Sequence, residues 1–460
     1  MGVTCIIDFD NNPYGTYFAG QVATGQVTLK LDKVKLAKAV TLNISGFAET
    51  QWSESTGTGK DRSSDTYRGR EDYIASQTYL VGSNMSSKLV ISFSEYLPAD
   101  SIFTFVAEVS LEPGVHVYNF ACQIPATCPS SIEGHYGRVR YLVKVSIVRP
   151  WKFDQSYIRC FTVLKLMDLN YDSPLLRVPA HCESLKTYCC WPCKSDPLQL
   201  QLTLPQTGFV PGQICTVNML VTNDSHIRVE MMQVSLVMQV TYHATHLSRT
   251  ATKYERIVVT KLMGDPVANH CKKQFQYALR LPATPPTCFN LCRIIQIAYE
   301  VEVEAKVKGC HKNEVVKVPL TIGSVPLSEH MQMQPRELQG FPAQTLDASG
   351  LAYPAEIATA PPGSPGIRKS LQLSVVSVML ISVLFIEPPN YEEALHMRST
   401  VGGKNMDEFQ GSAPPNTISL DGSDFSPRYP IFNIPSPTAP VDNNNENFNA
   451  DTNANKGTWL

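Results

Sequence analysis

Apolar and polar residues alternate along most of the first 325 positions. Leu198–Leu204 (LQLQLTL) alternates strictly. So do residues 297–307 (IAYEVEVEAKV), which set Ile297, Tyr299, Val301, Val303 and Ala305 on one face and Glu300, Glu302 and Glu304 on the other. Val139, Tyr141, Val143, Val145 and Ile147 alternate in the same way with Arg138, Arg140, Leu142, Lys144 and Ser146. Such segments recur between Gly, Pro, Asn and Asp turns, and no long stretch has a 3.6-residue period. A period of two puts one face into a core and leaves one outside. The pattern therefore predicts an all-β chain built from antiparallel two-sheet sandwiches with negligible helix.

Two such sandwiches fit, over residues 1–166 and 196–327, with a Cys-rich, aromatic linker at 167–195. Both open on a similar phrase, Phe18-Ala-Gly-Gln-Val-Ala-Thr-Gly and Val210-Pro-Gly-Gln-Ile-Cys-Thr-Val, a short echo between the halves. From Pro326 the composition changes. The last 135 residues hold 16 of the 33 prolines and an Asn run at 443–445, too little apolar surface to offset chain entropy. Residues 328–460 are expected to form a disordered tail. One stretch inside it breaks the pattern: residues 371–386 (LQLSVVSVMLISVLFI) are uncharged and apolar. A spanning helix needs about 20 residues. The run is either a short membrane segment, an aggregation-prone stretch, or translated non-coding sequence.

Composition narrows the function classes. A chain with 43% hydrophobic and 17% charged residues is globular, and its net charge of −2 gives no general attraction to nucleic acid. The first residues lack the charged-then-apolar layout of a secretory signal, so the expected compartment is the cytoplasm and the 13 cysteines are expected as reduced thiols. The same argument discounts Asn43, Asn84 and Asn223 as glycan acceptors. Ile6 stands where myristoylation of Gly2 wants Ser or Thr.

The most informative motif is Pro388-Pro389-Asn390-Tyr391, a PPxY sequence in the tail. Two prolines pre-set a polyproline II strand for an aromatic groove, and Tyr391 two places on supplies an anchor, which is how WW domains take their ligands. Ser426-Pro427-Arg428-Tyr429 is a degenerate second copy with Ser in place of the first proline. Enzyme signatures are missing: there is no G-x-S-x-G and no H-E-x-x-H. Gly57-Thr-Gly-Lys60-Asp61 resembles a phosphate loop only superficially and sits in a hydrophilic stretch, 53–70, expected as a long hairpin loop. Cys190-Trp-Pro-Cys193 lacks the second closely spaced pair that zinc wants, so structural thiols are expected there and no metal or cofactor. Lys30, Lys33, Lys35 and Lys38, with Arg138, Arg140 and Lys144, make two basic strands. These form either a solvated face or a docking surface for phosphate or carboxylate groups.

The chain resembles the arrestin-domain-containing proteins, the α-arrestins. The resemblance is carried by Tyr118-Asn-Phe-Ala-Cys-Gln-Ile-Pro125, Pro129-Ser-Ser-Ile-Glu-Gly-His-Tyr-Gly137 with Arg140-Tyr141, and Arg149-Pro-Trp-Lys-Phe153. In the second half it rests on Gly208-Phe-Val-Pro-Gly-Gln213, Asn223-Asp-Ser225, Pro319-Leu-Thr-Ile-Gly323 and Val325-Pro-Leu327. It implies two arrestin-like sandwiches in a cytoplasmic trafficking adaptor, recruited to the plasma membrane and endosomes. Such adaptors bind receptor or transporter cargo through the arrestin domains and HECT-type ubiquitin ligases through PPxY, promoting endocytosis. Members commonly carry two PPxY motifs, and this chain has one intact copy. One branch of the family pairs with thioredoxin through a cysteine of the second domain. Cys271 lies in a roughly corresponding stretch, so a thiol-dependent thioredoxin-binding regulator is the alternative.

Overall fold

The computed structural model describes residues 2–56, 63–82, 87–88, 104–105, 108–190, 193–194, 196–328, 390–393, 417–420 and 425–432. In the first domain, strands Val3–Phe9, Val22–Leu31 and Gly114–Gln123 form one antiparallel sheet. It faces a second sheet in the order Ser63–Gly82, Ala39–Thr56, Gly137–Val148, Gln155–Leu164 and Thr16–Phe18. The alternation read from the sequence is what fills the space between them. Val27, Leu29, Val143, Val145 and Ile147 are buried, and Phe9, Tyr17, Phe120 and Phe161 pack edge to face at 5.6 to 6.1 Å.

The second domain repeats the plan. Ala180–Lys186, Leu198–Leu204, Ile214–Asn223 and Cys271–Arg280 face a sheet of Glu314–Ile322, Ile295–Val307, Val229–His246 and Arg249–Gly264. Leu198, Leu200, Leu202 and Leu204, the strictly alternating residues, are all buried. The Ala180–Lys186 strand lies inside the expected linker, yet it pairs with Leu198–Leu204 along its whole length. It is an edge strand whose exposed residues include His181, Glu183 and Leu185, so no alternation marks it in the sequence. A 3-10 turn, Pro174–Arg177, capped by the Ser173 side chain, precedes it.

The hydrophilic stretch expected as a loop is mostly strand. Ala39–Thr56 and Ser63–Gly82 stay paired out to Thr56↔Ser63, and Gly57 to Asp61 lie outside the described residues. This ribbon reaches the second domain, where Arg68 bridges Thr245, so the two large sheets run into one another. The ribbon's inner residues Trp52 and Tyr67 are buried, and interdomain contacts hold it there. Tyr67 meets His246 at 5.6 Å, and Tyr136 meets Tyr242 at 5.7 Å. Thr50 Oγ1 donates to the His243 carbonyl at 2.8 Å, and Glu255 accepts from the Tyr242 hydroxyl at 2.5 Å and the His135 amide at 3.1 Å.

The expectation of a structureless tail does not hold for three short stretches. Thr417–Ser419 adds in parallel to the Gln155–Leu164 strand, and Arg428–Ile431 pairs antiparallel with Asn390–Glu393. The apolar run at 371–386 lies outside the described residues, among which no helix is long and apolar enough to cross a membrane.

Candidate functional site

Residues 425–432 run along the seam between the domains. Tyr429 is fully buried beside Leu164 of the first domain and Ala283 of the second, with Ile431 in the same cluster. Its hydroxyl donates to the Ser131 carbonyl at 2.8 Å, and burial pushes the phenol well above its ordinary pKa. Phe432 enters a second cluster with Leu169, Leu176 and Val210. Its amide donates to the Pro211 carbonyl at 3.0 Å. Upstream, the Arg428 amide donates to Thr162 Oγ1 at 3.2 Å, the Arg428 guanidinium lies over Tyr14, and the Leu420 amide donates to the Ile158 carbonyl. Tyr429, read from sequence as a degenerate second ligand motif, is instead an anchor. With its ring and hydroxyl both satisfied inside the protein, it offers nothing to a partner while docked.

The intact motif sits next to this anchor. Pro388 and Pro389 lie outside the described residues, whereas the Tyr391 backbone is in the Asn390–Glu393 strand opposite Pro430, with Glu392 exposed opposite Tyr429. The PPxY tyrosine is therefore held by a backbone ladder to a segment that is itself wedged into the seam.

The basic residues separate into two groups. Arg138 and Arg140 are only 3% and 2% exposed, so they form no docking face. Arg138 is ion-paired with Glu49, and Arg140 Nε meets Glu133 Oε1 at 2.7 Å, with Phe425 of the tail 5.8 Å above its guanidinium. Burial alone lowers the pKa of Arg140, and the Glu133 carboxylate more than reverses this, holding it above its ordinary value. Alternation placed both arginines away from the sandwich core correctly. It carries no information that Glu49, Glu133 and the tail cover that second face. Lys144 is half-buried, whereas Lys30 and Lys33 are exposed.

Several cysteines are buried structural thiols. Burial pushes the Cys5 and Cys215 thiols up to about 12 and Cys292 to about 11, which leaves them protonated and inert. Cys271 is half-buried at the start of its strand, opposite Asn223, with its sulfur 3.8 Å from the Lys272 carbonyl. The backbones of Cys190 and Cys193 stand opposite each other in a short antiparallel pair.

Two sandwiches in tandem, joined by a short crossover and a continuous ribbon, define a two-domain scaffold of the arrestin type. The family model for the arrestin (or S-antigen) N-terminal domain matches residues 5–170, and that for the C-terminal domain matches residues 194–327. Arrestin domain-containing protein 17 of Caenorhabditis elegans is 29% identical over 325 residues, 69% of either chain. Arrestin domain-containing protein 4 of Homo sapiens is 25% identical over 320 residues, 69% of this chain and 70% of its own. The chain belongs to the arrestin-domain-containing (α-arrestin) family. An adaptor role in general is what that membership supports.

Proposed function

We propose that the protein is a non-catalytic cytoplasmic trafficking adaptor. Its sandwiches bind membrane receptor or transporter cargo, and Pro388, Pro389 and Tyr391 recruit a WW-domain HECT-type ubiquitin ligase, so that bound cargo is ubiquitinated and internalised at the plasma membrane or endosomes. The observation that carries the reading is the PPxY sequence joined to two arrestin domains in one chain. The motif's own physics supports it: two prolines cut the entropy lost on binding, and a tyrosine anchor carries most of so small an interface.

The strand pairing of Asn390–Glu393 adds a condition. A WW groove takes the motif as a free polyproline II strand. Ligase binding therefore competes with the ladder to Arg428–Ile431, and lifting that segment from the seam favours recruitment. The direct test is affinity purification of the full chain from cells, wild type and Tyr391→Ala, read by mass spectrometry. WW-domain ligases should be present with the first and depleted with the second. Equal recovery would remove the recruiting element.

A further inference from the structure

The turn joining Gly137–Val148 to Gln155–Leu164 presents its aromatic residues to solvent. Trp151 is 99% exposed and Phe153 68% exposed. The turn is braced to hold them there. Arg149 Nε donates to the Phe153 carbonyl at 2.9 Å, Asp154 Oδ1 accepts from the Arg149 amide at 3.3 Å, and Trp151 itself takes a left-handed conformation at φ 56°. Leaving a large apolar side chain in water forgoes the favourable free energy of burying it. An ordered turn built around two such residues points to a partner that covers them.

The neighbouring stretch has the same character. The Lys38 amide donates to the Val148 carbonyl at 2.8 Å, which sets residues 33–36 beside the turn. There Val34 is 53% and Leu36 57% exposed. Lys33, Lys35, Arg149 and Lys152 interleave with these apolar residues, and none of the four forms an ion pair among the described residues. Burial, then the Arg149 and Lys152 charges, depress the pKa of Lys35, so these cations crowd one another. Asp32 is the other acidic residue of these two turns, Asp154 being held on the Arg149 amide.

We infer that this end of the first domain, with Trp151 and Phe153 at its tip and Lys33, Lys35, Arg149 and Lys152 around them, docks on an anionic lipid surface. Indole and phenyl rings suit the headgroup boundary, and each nearby cation adds attraction to an anionic leaflet. Protruding aromatic side chains favour a bilayer over a phosphorylated peptide, which takes a groove and charge rather than exposed rings. The inference is independent of the PPxY reading, because it uses neither the tail nor a ligase.

The test is flotation of the full chain with vesicles of phosphatidylcholine alone and of phosphatidylcholine with about 20% phosphatidylserine. Wild type should float with the anionic vesicles, less so at high salt, and little with the neutral ones. Trp151→Ala/Phe153→Ala should reduce partitioning about tenfold or more, as expected for withdrawing two rings from the interface. Lys35→Glu/Lys152→Glu should reduce it comparably. All four sites are at or near the surface, and thermal midpoints matching wild type would confirm that the variants fold. Brominated lipid should quench wild-type tryptophan fluorescence more than that of Trp151→Phe. Equal flotation by wild type and both double variants would overturn the inference. So would a phosphorylated peptide, or a second copy of the chain, that binds through these residues while vesicles do not.

Discussion

At Gly212 the backbone has φ +96°, and a Cβ placed there would lie 2.1 Å from the Phe432 carbonyl oxygen. The Val210-Pro-Gly-Gln phrase thus serves the tail: an absent side chain lets the Phe432 backbone reach the Pro211 carbonyl. Gly212→Ala should expel residues 428–432 from the seam. Hydrogen exchange should then show faster exchange at the Arg428–Ile431 and Asn390–Glu393 amides while the sandwich strands stay protected. Unchanged protection would mean that the tail tolerates the added carbon. A second residue-scale prediction concerns Arg140. Arg140→Ala leaves the largely covered Glu133 without its partner and should cost about 2–4 kcal/mol in urea denaturation. Lys30→Glu, at an exposed position, should stay within about 0.5 kcal/mol. If the two cost the same, the buried pair is not the strut described.

Elements that bury an alternating face on the chain's own core are legible in the sequence; elements whose cover comes from elsewhere are not. Leu198–Leu204 reads as a strand because every second residue is buried. Residues 53–56 and 63–70 do not, because Tyr67 is their one buried apolar residue among the described side chains and their cover comes from the second domain. The tail strands are hidden for the same reason. Tyr429, Ile431 and Phe432 make a cluster of large apolar residues among Pro and Asn, a weak signal, and the pockets that bury them belong to both sandwiches. The ribbon also carries a titratable contact. Glu71 Oε1 accepts from Arg293 Nε at 2.7 Å across the domains, and Tyr73 donates to its other oxygen at 2.9 Å. Burial opposes ionisation of Glu71, but the Arg293 and Tyr73 hydrogen bonds outweigh it and hold the carboxyl below its ordinary range. A depressed carboxyl contributes stability that is full above its unfolded pKa, about 4.3, and lost as pH falls through the folded value. Glu71→Gln should flatten that part of the acid dependence of the thermal midpoint. An unchanged acid limb would assign the loss to other carboxylates.

For the whole molecule, one segment ties together what the fold keeps apart. Residues 417–420 and 425–432 add a strand to the first domain, fill the seam with the second, and hold the backbone of the PPxY tyrosine. The PPxY motif itself was legible from four residues; its restraint was not, because a ladder between segments about 40 residues apart leaves no local pattern. A full chain should therefore bind an isolated WW domain less tightly than a free peptide spanning the motif. Phe432→Asp, which makes docking in an apolar pocket unfavourable, should bring the full chain toward the peptide's affinity. Equal affinities for full chain and peptide would leave the ladder without consequence.

The account turns on Tyr391, and titration of isolated WW domains with tail peptides tests it most directly. Wild-type peptide should bind, Tyr429→Ala should bind equally well, and Tyr391→Ala should bind at least tenfold more weakly, a loss of about 1.4 kcal/mol or more. Equal binding by Tyr391→Ala and wild type would contradict the recruiting mechanism.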